Sequence, residues 1–460
     1  MQWQSDTFSH IAFTAIGCVA LLSALSACGG GSTPAAAAPQ MPPAQAVSPT
    51  PAPTPDSPGP MVGRIKHVVI IIQENRTTDN LFNGFPGADT VMSAIKHDGT
   101  RVPLQQAALG DPIDPCHLQS CFVADYDDGK MDGWDDARED GLTSYTYVRQ
   151  SDIQPYWTLA SRYTLADRMF QDNTGPSFPA HLYLIAGQAA SIDGLPFNNA
   201  YDGPGAYWSC AAPPKTLVTT LLPSGEKGPS VSPCQNFETL ADDLEAHGHT
   251  WRSYAPAIGV DGFQWSAFSA IKHIFEVASE WSKVVSPETT VLADAQNGNL
   301  PDVTWVTPSL FDSDHGVSAS PANGGPSWVA SVVNAIGTSP DWNSTAIFIT
   351  WDDWGGFYDH VLPPKIDYMG LGFRVPLIAV SPYSKHGYVS HVTHDFGSIL
   401  RFAEETFQVP SLGGRDATAD DLRDMFDFTQ APQSFQTIQS RLHASDLLRQ
   451  PRSSRPPDDD

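Results

Sequence analysis

The chain has 460 residues and sets 25 Lys and Arg against 51 Asp and Glu, a formal net charge of −26. Its length supports a large buried core, and its charge excludes bulk electrostatic attraction to nucleic acid or to anionic lipid headgroups. A phosphate-bearing substrate remains compatible where a bound cation supplies local positive charge.

Residues 11–27 are apolar and small, and Gly29-Gly30-Gly31 follows almost at once. The stretch is too short for a spanning helix and reads as an export signal. Leu25-Ser26-Ala27-Cys28 resembles a bacterial lipobox, in which Cys28 becomes the lipidated first residue. The predicted localisation is a cell-envelope lipoprotein anchored to membrane through Cys28, periplasmic or on the surface; an ordinary secretory signal would instead make the protein secreted. Residues 29–61 are rich in Pro and Ala without aromatic side chains, and read as a flexible tether that cannot bury enough surface to offset chain entropy. The predicted folded body is 62–445, followed by an unstructured tail, 446–460. Setting aside Cys18 and Cys28, four of the six cysteines remain. In an exported chain they suggest Cys116 with Cys121 and Cys210 with Cys234; zinc binding by the four is the alternative, although no CxxC occurs.

Along the body, strand signals fall at Val68–Ile72, Thr250–Tyr254, Val303–Val306, Ala346–Thr350 and Pro376–Val380. Helical periodicity is expected at Gln154–Met169, His181–Gln188, Phe237–Ala246, Ser327–Ile336 and Phe396–Phe407. This alternation predicts an α/β fold, a mostly parallel central sheet sandwiched by helices. The Gly, Pro and Asp-rich stretch from Phe82 to Tyr145 breaks the alternation and predicts loops or a lid over the site.

Two Val/Ile-rich strands each end in a pair of oxygen ligands: Glu74-Asn75 after the first, Asp352-Asp353 after the fourth. Continuous apolar runs of this kind are buried on both faces of a parallel sheet, and ligands bind outside the carboxyl ends of such strands. Glu74, Asn75, Asp352 and Asp353 are therefore expected to converge on one or more divalent metal ions, Ca, Mg, Mn or Zn. Ser177, in Gly175-Pro176-Ser177-Phe178-Pro179 ahead of a helical pattern, is a candidate nucleophile favoured by helix N–H groups and a cation; a plain helix cap is the other reading of the same serine. Gly355-Gly356 permits close backbone approach to a metal or phosphate, or a tight turn.

IKHVVIIIQENRTTDNLF, DNTGPSFPAHLYLIAG, DSDHG, TAIFITWDDWGGFYDHV and RVPLIAVSPYSKHGYV with THDFGSILRFAEETF occur in the order seen in the bacterial phosphoesterase family of phospholipases C and acid phosphatases. The resemblance covers residues 64 to about 428. It implies an alkaline-phosphatase-like fold, a metal-activated hydroxyl nucleophile at Ser177, and a metal set that includes Ser177. Ala180 and His181 depart from the Asn and Arg common in the family. His117, ahead of Gly129-Lys130-Met131-Asp132-Gly133, and His315, in Asp312-Ser313-Asp314-His315-Gly316, resemble family histidines and are expected to contact the phosphoryl group; His360 ranks next as a catalytic candidate and His394 last. The expected activity is hydrolysis of a phosphate ester, either a phosphomonoester or a phospholipid-type phosphodiester, through a phosphoseryl intermediate. A catalytically silent surface lipoprotein and a sulfatase are the rival classes; Ser177-Phe178-Pro179-Ala180-His181 lacks the Arg of a sulfatase modification motif.

Overall fold

The computed structural model describes residues 59–136, 142–198, 208–316 and 324–450. The predicted signal, most of the tether and the tail beyond Gln450 lie outside the described residues. Among those described, no helix is long and apolar enough to cross a membrane.

A nine-stranded sheet organises the body. In chain order its strands are β1 (His67–Gln73), β2 (Thr164–Phe170), β3 (Trp251–Tyr254), β4 (Val284–Val285), β5 (Val303–Val306), β6 (Thr345–Trp351), β7 (Arg374–Val380), β8 (Tyr388–Ser390) and β9 (His394–Asp395). The spatial order is β8-β2-β7-β6-β1-β5-β3-β4, with β9 also paired to β2. All pairings are parallel except those of β7 with β6 and with β2. The mostly parallel sheet is thus as expected, with one reversed strand.

The centre of the sheet follows from its composition. In β1 every residue after His67 is buried, and in β6 all seven are. Each fully buried Val or Ile contributes roughly 1.5–3 kcal/mol of apolar transfer, so this pair anchors the core and fixes the register. Six of the helices form two sets that touch within themselves. One holds α2 (Ser177–Ala186), α3 (Leu240–Ala246) and α6 (Phe396–Phe407); the other holds α1 (Gln154–Arg162), α4 (Thr290–Gln296) and α5 (Gly324–Gly337).

The structure corrects the expected helix over Gln154–Met169. It ends at Arg162, Tyr163 turns out of helical geometry, and β2 begins at Thr164. Leu159, Ala160, Tyr163, Ala166 and Met169 keep a helical spacing across the break, but β2 is held by β7, β8 and β9, and sheet pairing overrides the local pattern. The Phe82–Tyr145 stretch is also more ordered than loops. Ser93–Ile95 pairs with Arg101–Pro103, Gln105–Ala107 pairs with Thr146–Val148, and Gln119–Tyr126 is a helix. Phe122, Met131, Trp134 and Tyr145 form a second core with Trp354, Tyr358 and Phe373. Both suggested disulfides, Cys116–Cys121 and Cys210–Cys234, are formed. That pairing excludes the zinc alternative for these four cysteines.

Candidate active site

Register brings the two ligand pairs together. Gln73 lies opposite Trp351 in the parallel β1–β6 ladder, so the next two residues of each strand leave the sheet side by side. The Asp352 amide donates to Gln73 O at 3.0 Å, and the Asn75 amide donates to Asp352 Oδ1 at 3.0 Å. Asn75 adopts φ 61°, a left-handed conformation that Asn tolerates better than most residues, and this turns the chain away directly after the ligand pair.

Ser177 is delivered by the segment after β2, which lies beyond β7 from β6. It is the first residue of α2, behind Pro176 at the N-cap, and no side chain caps this helix. The cap reading therefore does not describe this serine. Its hydroxyl instead donates to Asp353 Oδ2 at 3.0 Å, while Asp353 Oδ1 accepts from the Gly355 amide at 2.7 Å. Gly355 and Gly356 have φ +60° and +70°. A Cβ would meet Asn75 O at 2.5 Å from Gly355 and Cys116 O at 2.5 Å from Gly356. Close approach is what requires glycine here.

The sequence reading missed His181. Its position is four residues after Ser177, one turn along α2, so both side chains share a face. His181 Nε2 lies 3.1 Å from Glu74 Oε1 and 3.5 Å from Asp352 Oδ2. Glu74, His181 and Asp352 each offer a ligand atom, all within 4.8 Å of one another, and all three residues are buried. Asn75 Oδ1 is buried without a hydrogen-bond donor. Two anionic groups, an imidazole and an orphaned amide oxygen fit a divalent cation, because burying such acceptors without one is costly. Burial pushes the Asp352 carboxyl up, but His181 and the Asn75 amide outweigh it and hold the group below the usual carboxylate range.

Of the predicted histidines, the structure brings His117 and His315 to this centre. His117 Nδ1 donates to Pro115 O at 3.0 Å, which leaves Nε2 to accept from Asn75 Nδ2 at 3.0 Å. That bond aims the Asn75 amide so that its oxygen faces away from His117. The Cys116–Cys121 bridge closes the short loop that carries this imidazole. The His315 ring lies 6.0 Å from that of His117 and 5.7 Å from Trp265. Its loop is held by Arg76, whose Nε and Nη2 donate to Asp314 O at 3.0 and 2.6 Å. Asp314 Oδ2 accepts from Tyr156 and Trp351 at 2.8 and 3.0 Å, and burial pushes this carboxyl up to about 6.

His360 and His394 sit elsewhere. His360 Nδ1 lies 2.6 Å from Asp79 Oδ2 and Nε2 lies 3.1 Å from Asp89 Oδ1. Fully buried Arg374 completes the cluster, with Nε donating to both oxygens of Asp359. Burial works against the charged form of His360, but Asp79 and Asp359 win and raise its pKa. Both ring nitrogens are spent on carboxylates, so this histidine is a brace. His394 lies between Asp420 at 3.0 Å and Ser390 at 3.2 Å, before the capping residue of α6.

The Phosphoesterase family model matches residues 65–410, and the chain belongs to that family. Among its relatives, the non-hemolytic phospholipase C of Burkholderia pseudomallei is 27% identical over 424 residues, covering 79% of this chain and 59% of the relative. Phospholipase C B of Mycobacterium tuberculosis is 25% identical over 457 residues, covering 81% of this chain and 80% of the relative. The chain therefore spans less than two thirds of the Burkholderia protein's length. Among solved structures, a protein in the alkaline phosphatase superfamily from Vibrio parahaemolyticus is similar at a TM-score of 0.37 and 12% identity, covering 80% of this chain and 73% of that one.

Proposed function

We propose that the chain is a metal-dependent phosphoric ester hydrolase that works through Ser177. The observation that carries this reading is the Ser177 hydroxyl at the head of α2, 3.0 Å from Asp353 and beside the Glu74, Asn75, His181 and Asp352 set. Membership of the phosphoesterase family supports it independently.

Glu74, Asn75, Asp352, Asp353 and Ser177, with His181 added, would hold the cation. When bound, it supplies Lewis-acid charge that favours the serine alkoxide and offsets charge on the phosphoryl oxygens. The imidazole in the set favours a borderline ion such as Zn over Ca or Mg. Asp353 Oδ2 takes the proton as Ser177 Oγ attacks phosphorus. The new bond is Ser177 Oγ to phosphorus, and the ester oxygen leaves as the alcohol, protonated by His315. The Ser177 and Phe178 N–H groups, the donors left in a first turn that carries Pro176 and Pro179, would face the developing negative charge. Water, its proton taken by the now neutral His315, then attacks phosphorus, the bond to Ser177 breaks, and Asp353 returns the proton to the serine oxygen. His117 serves this centre by orienting Asn75.

Relatives named phospholipase C support a phospholipid-type diester as substrate; a phosphomonoester is the second substrate class. A chromogenic phosphomonoester and a phosphorylcholine diester, offered to a soluble form beginning after Cys28, separate the two by their rate ratio. A lack of turnover of either with Zn, Mn, Mg and Ca supplied in turn would remove the hydrolase reading. Export is part of the proposal, since two disulfides suit an oxidising compartment. The lipobox-like Leu25–Cys28 supplies the proposed lipid anchor at Cys28, which lies outside the described residues.

A further inference from the structure

Between β2 and Ser177 the chain runs through Gln171-Asp172-Asn173-Thr174-Gly175-Pro176, with no regular structure to hold its shape. Gln171 is fully buried at the head of this segment. Its Nε2 donates to Asn173 O at 2.9 Å and to Gly175 O at 3.1 Å, so one amide grips the loop at two points. Its Oε1 accepts from the Trp354 amide at 3.0 Å. Trp354 directly follows Asp353, the partner of the Ser177 hydroxyl. The Gln171 main chain is pinned as well, to Phe373 and Gly372 at 3.3 and 2.9 Å.

This set of partners admits one side-chain chemistry. Two carbonyls need donors and an N–H needs an acceptor, and a primary amide meets all three. A carboxylate of the same shape keeps the acceptor, loses both donors and faces two carbonyl oxygens.

We infer that Gln171 is the positioning residue that sets the approach of Ser177 to Asp353, by tying the nucleophile loop to the turn that carries the acidic pair. The inference rests on Ser177 being the nucleophile. Gln171 reaches neither a ligand nor a reacting atom, and its effect passes through the geometry of two others. Misplacing a reacting group by about 1 Å can cost on the order of a hundredfold in rate.

The test is Gln171→Glu, assayed for kcat and KM from pH 5 to pH 9 beside wild type and Ser177→Ala. At pH 8 the variant is expected to lose on the order of a hundredfold in kcat, with KM within about threefold of wild type. Burial among carbonyls raises the pKa of the introduced Glu, and its protonated form regains one O–H donor. The kcat ratio of wild type to variant should therefore shrink as pH falls. A defect independent of pH, or a rise in KM that accounts for the loss, overturns the inference, as does wild-type kcat. Should Gln171→Glu fail to fold, Gly372→Ala gives a second reading. Its Cβ would lie 2.3 Å from both Gln171 Cγ and Asn173 O, so kcat should fall here too, and wild-type kcat overturns the inference. Full turnover by Ser177→Ala removes the nucleophile and the inference with it. Inactive Ser177→Ala beside fully active Gln171→Glu removes the inference alone.

Discussion

The hydroxyl of Ser177 and the carboxylate of Asp353 are 176 residues apart in sequence and 3.0 Å apart in the fold. Three features produce that contact: the β1–β6 register, the start of α2 at Ser177, and the left-handed glycine turn after Asp353. The first joins strands far apart in sequence, and the other two act locally, one at each residue. The contact gives the serine an acceptor for its proton beside a group of side chains that could hold a cation, and the predictions below concern the groups around it.

His181 is expected to matter to metal affinity first. His181→Ala should weaken divalent-cation binding by at least about 10- to 100-fold, the range for losing a residue that only orients a ligand. Isothermal titration of the metal-stripped protein with Zn or Mn checks this, and needs no substrate. Unchanged affinity would exclude His181 from the ligand set.

Much of this centre is legible in the sequence, and the residues show where legibility stops. Val68–Ile72 and Ala346–Thr350 are short β-branched and aromatic runs that read as doubly covered strands, so Glu74, Asn75, Asp352 and Asp353 fall at strand ends by inspection. His181 is hidden until the first residue of α2 is known, because only then does a spacing of four place it beside Ser177. The signal was present in the Ser177-Phe178-Pro179-Ala180-His181 segment, read there as a departure from the family pattern. The break at Tyr163 is invisible for a different reason, since apolar spacing continues across it and the deciding partners are β7, β8 and β9. His360 beside Asp359 carries no local mark separating a catalytic imidazole from one spent on Asp79 and Asp89.

The two kinds of histidine should separate in kinetics. His315→Ala is expected to lower kcat by about 10²- to 10⁴-fold, the usual worth of a positioned acid. His360→Ala should keep kcat within about threefold and lose about 1–3 kcal/mol of stability, because buried Asp79 loses a hydrogen-bonded partner. Steady-state rates and urea denaturation of both variants check the pair. A collapse of kcat in His360→Ala with intact stability would restore it as a catalytic candidate.

Glu404, in the middle of α6, should make stability fall with rising pH. Burial, and then the neighbouring Asp416, push its carboxyl from the usual 4.5 up to about 8. A pKa raised on folding contributes stability that is complete below about 4.5 and is lost as pH rises through about 8. Glu404→Gln removes that dependence. Thermal melts of variant and wild type should nearly coincide at pH 5 and diverge in favour of the variant towards pH 9. A constant difference across that range would contradict the assignment.

Trapping the intermediate tests the central claim most directly. Wild-type protein turning over a phosphate ester is quenched in acid within the first turnovers, digested, and its peptides are weighed. The account predicts one phosphoryl group on the peptide carrying Ser177, absent from Ser177→Ala, which also fails to turn over. Rapid turnover with no phosphorylated Ser177 at any quench time, or wild-type turnover by Ser177→Ala, would contradict it.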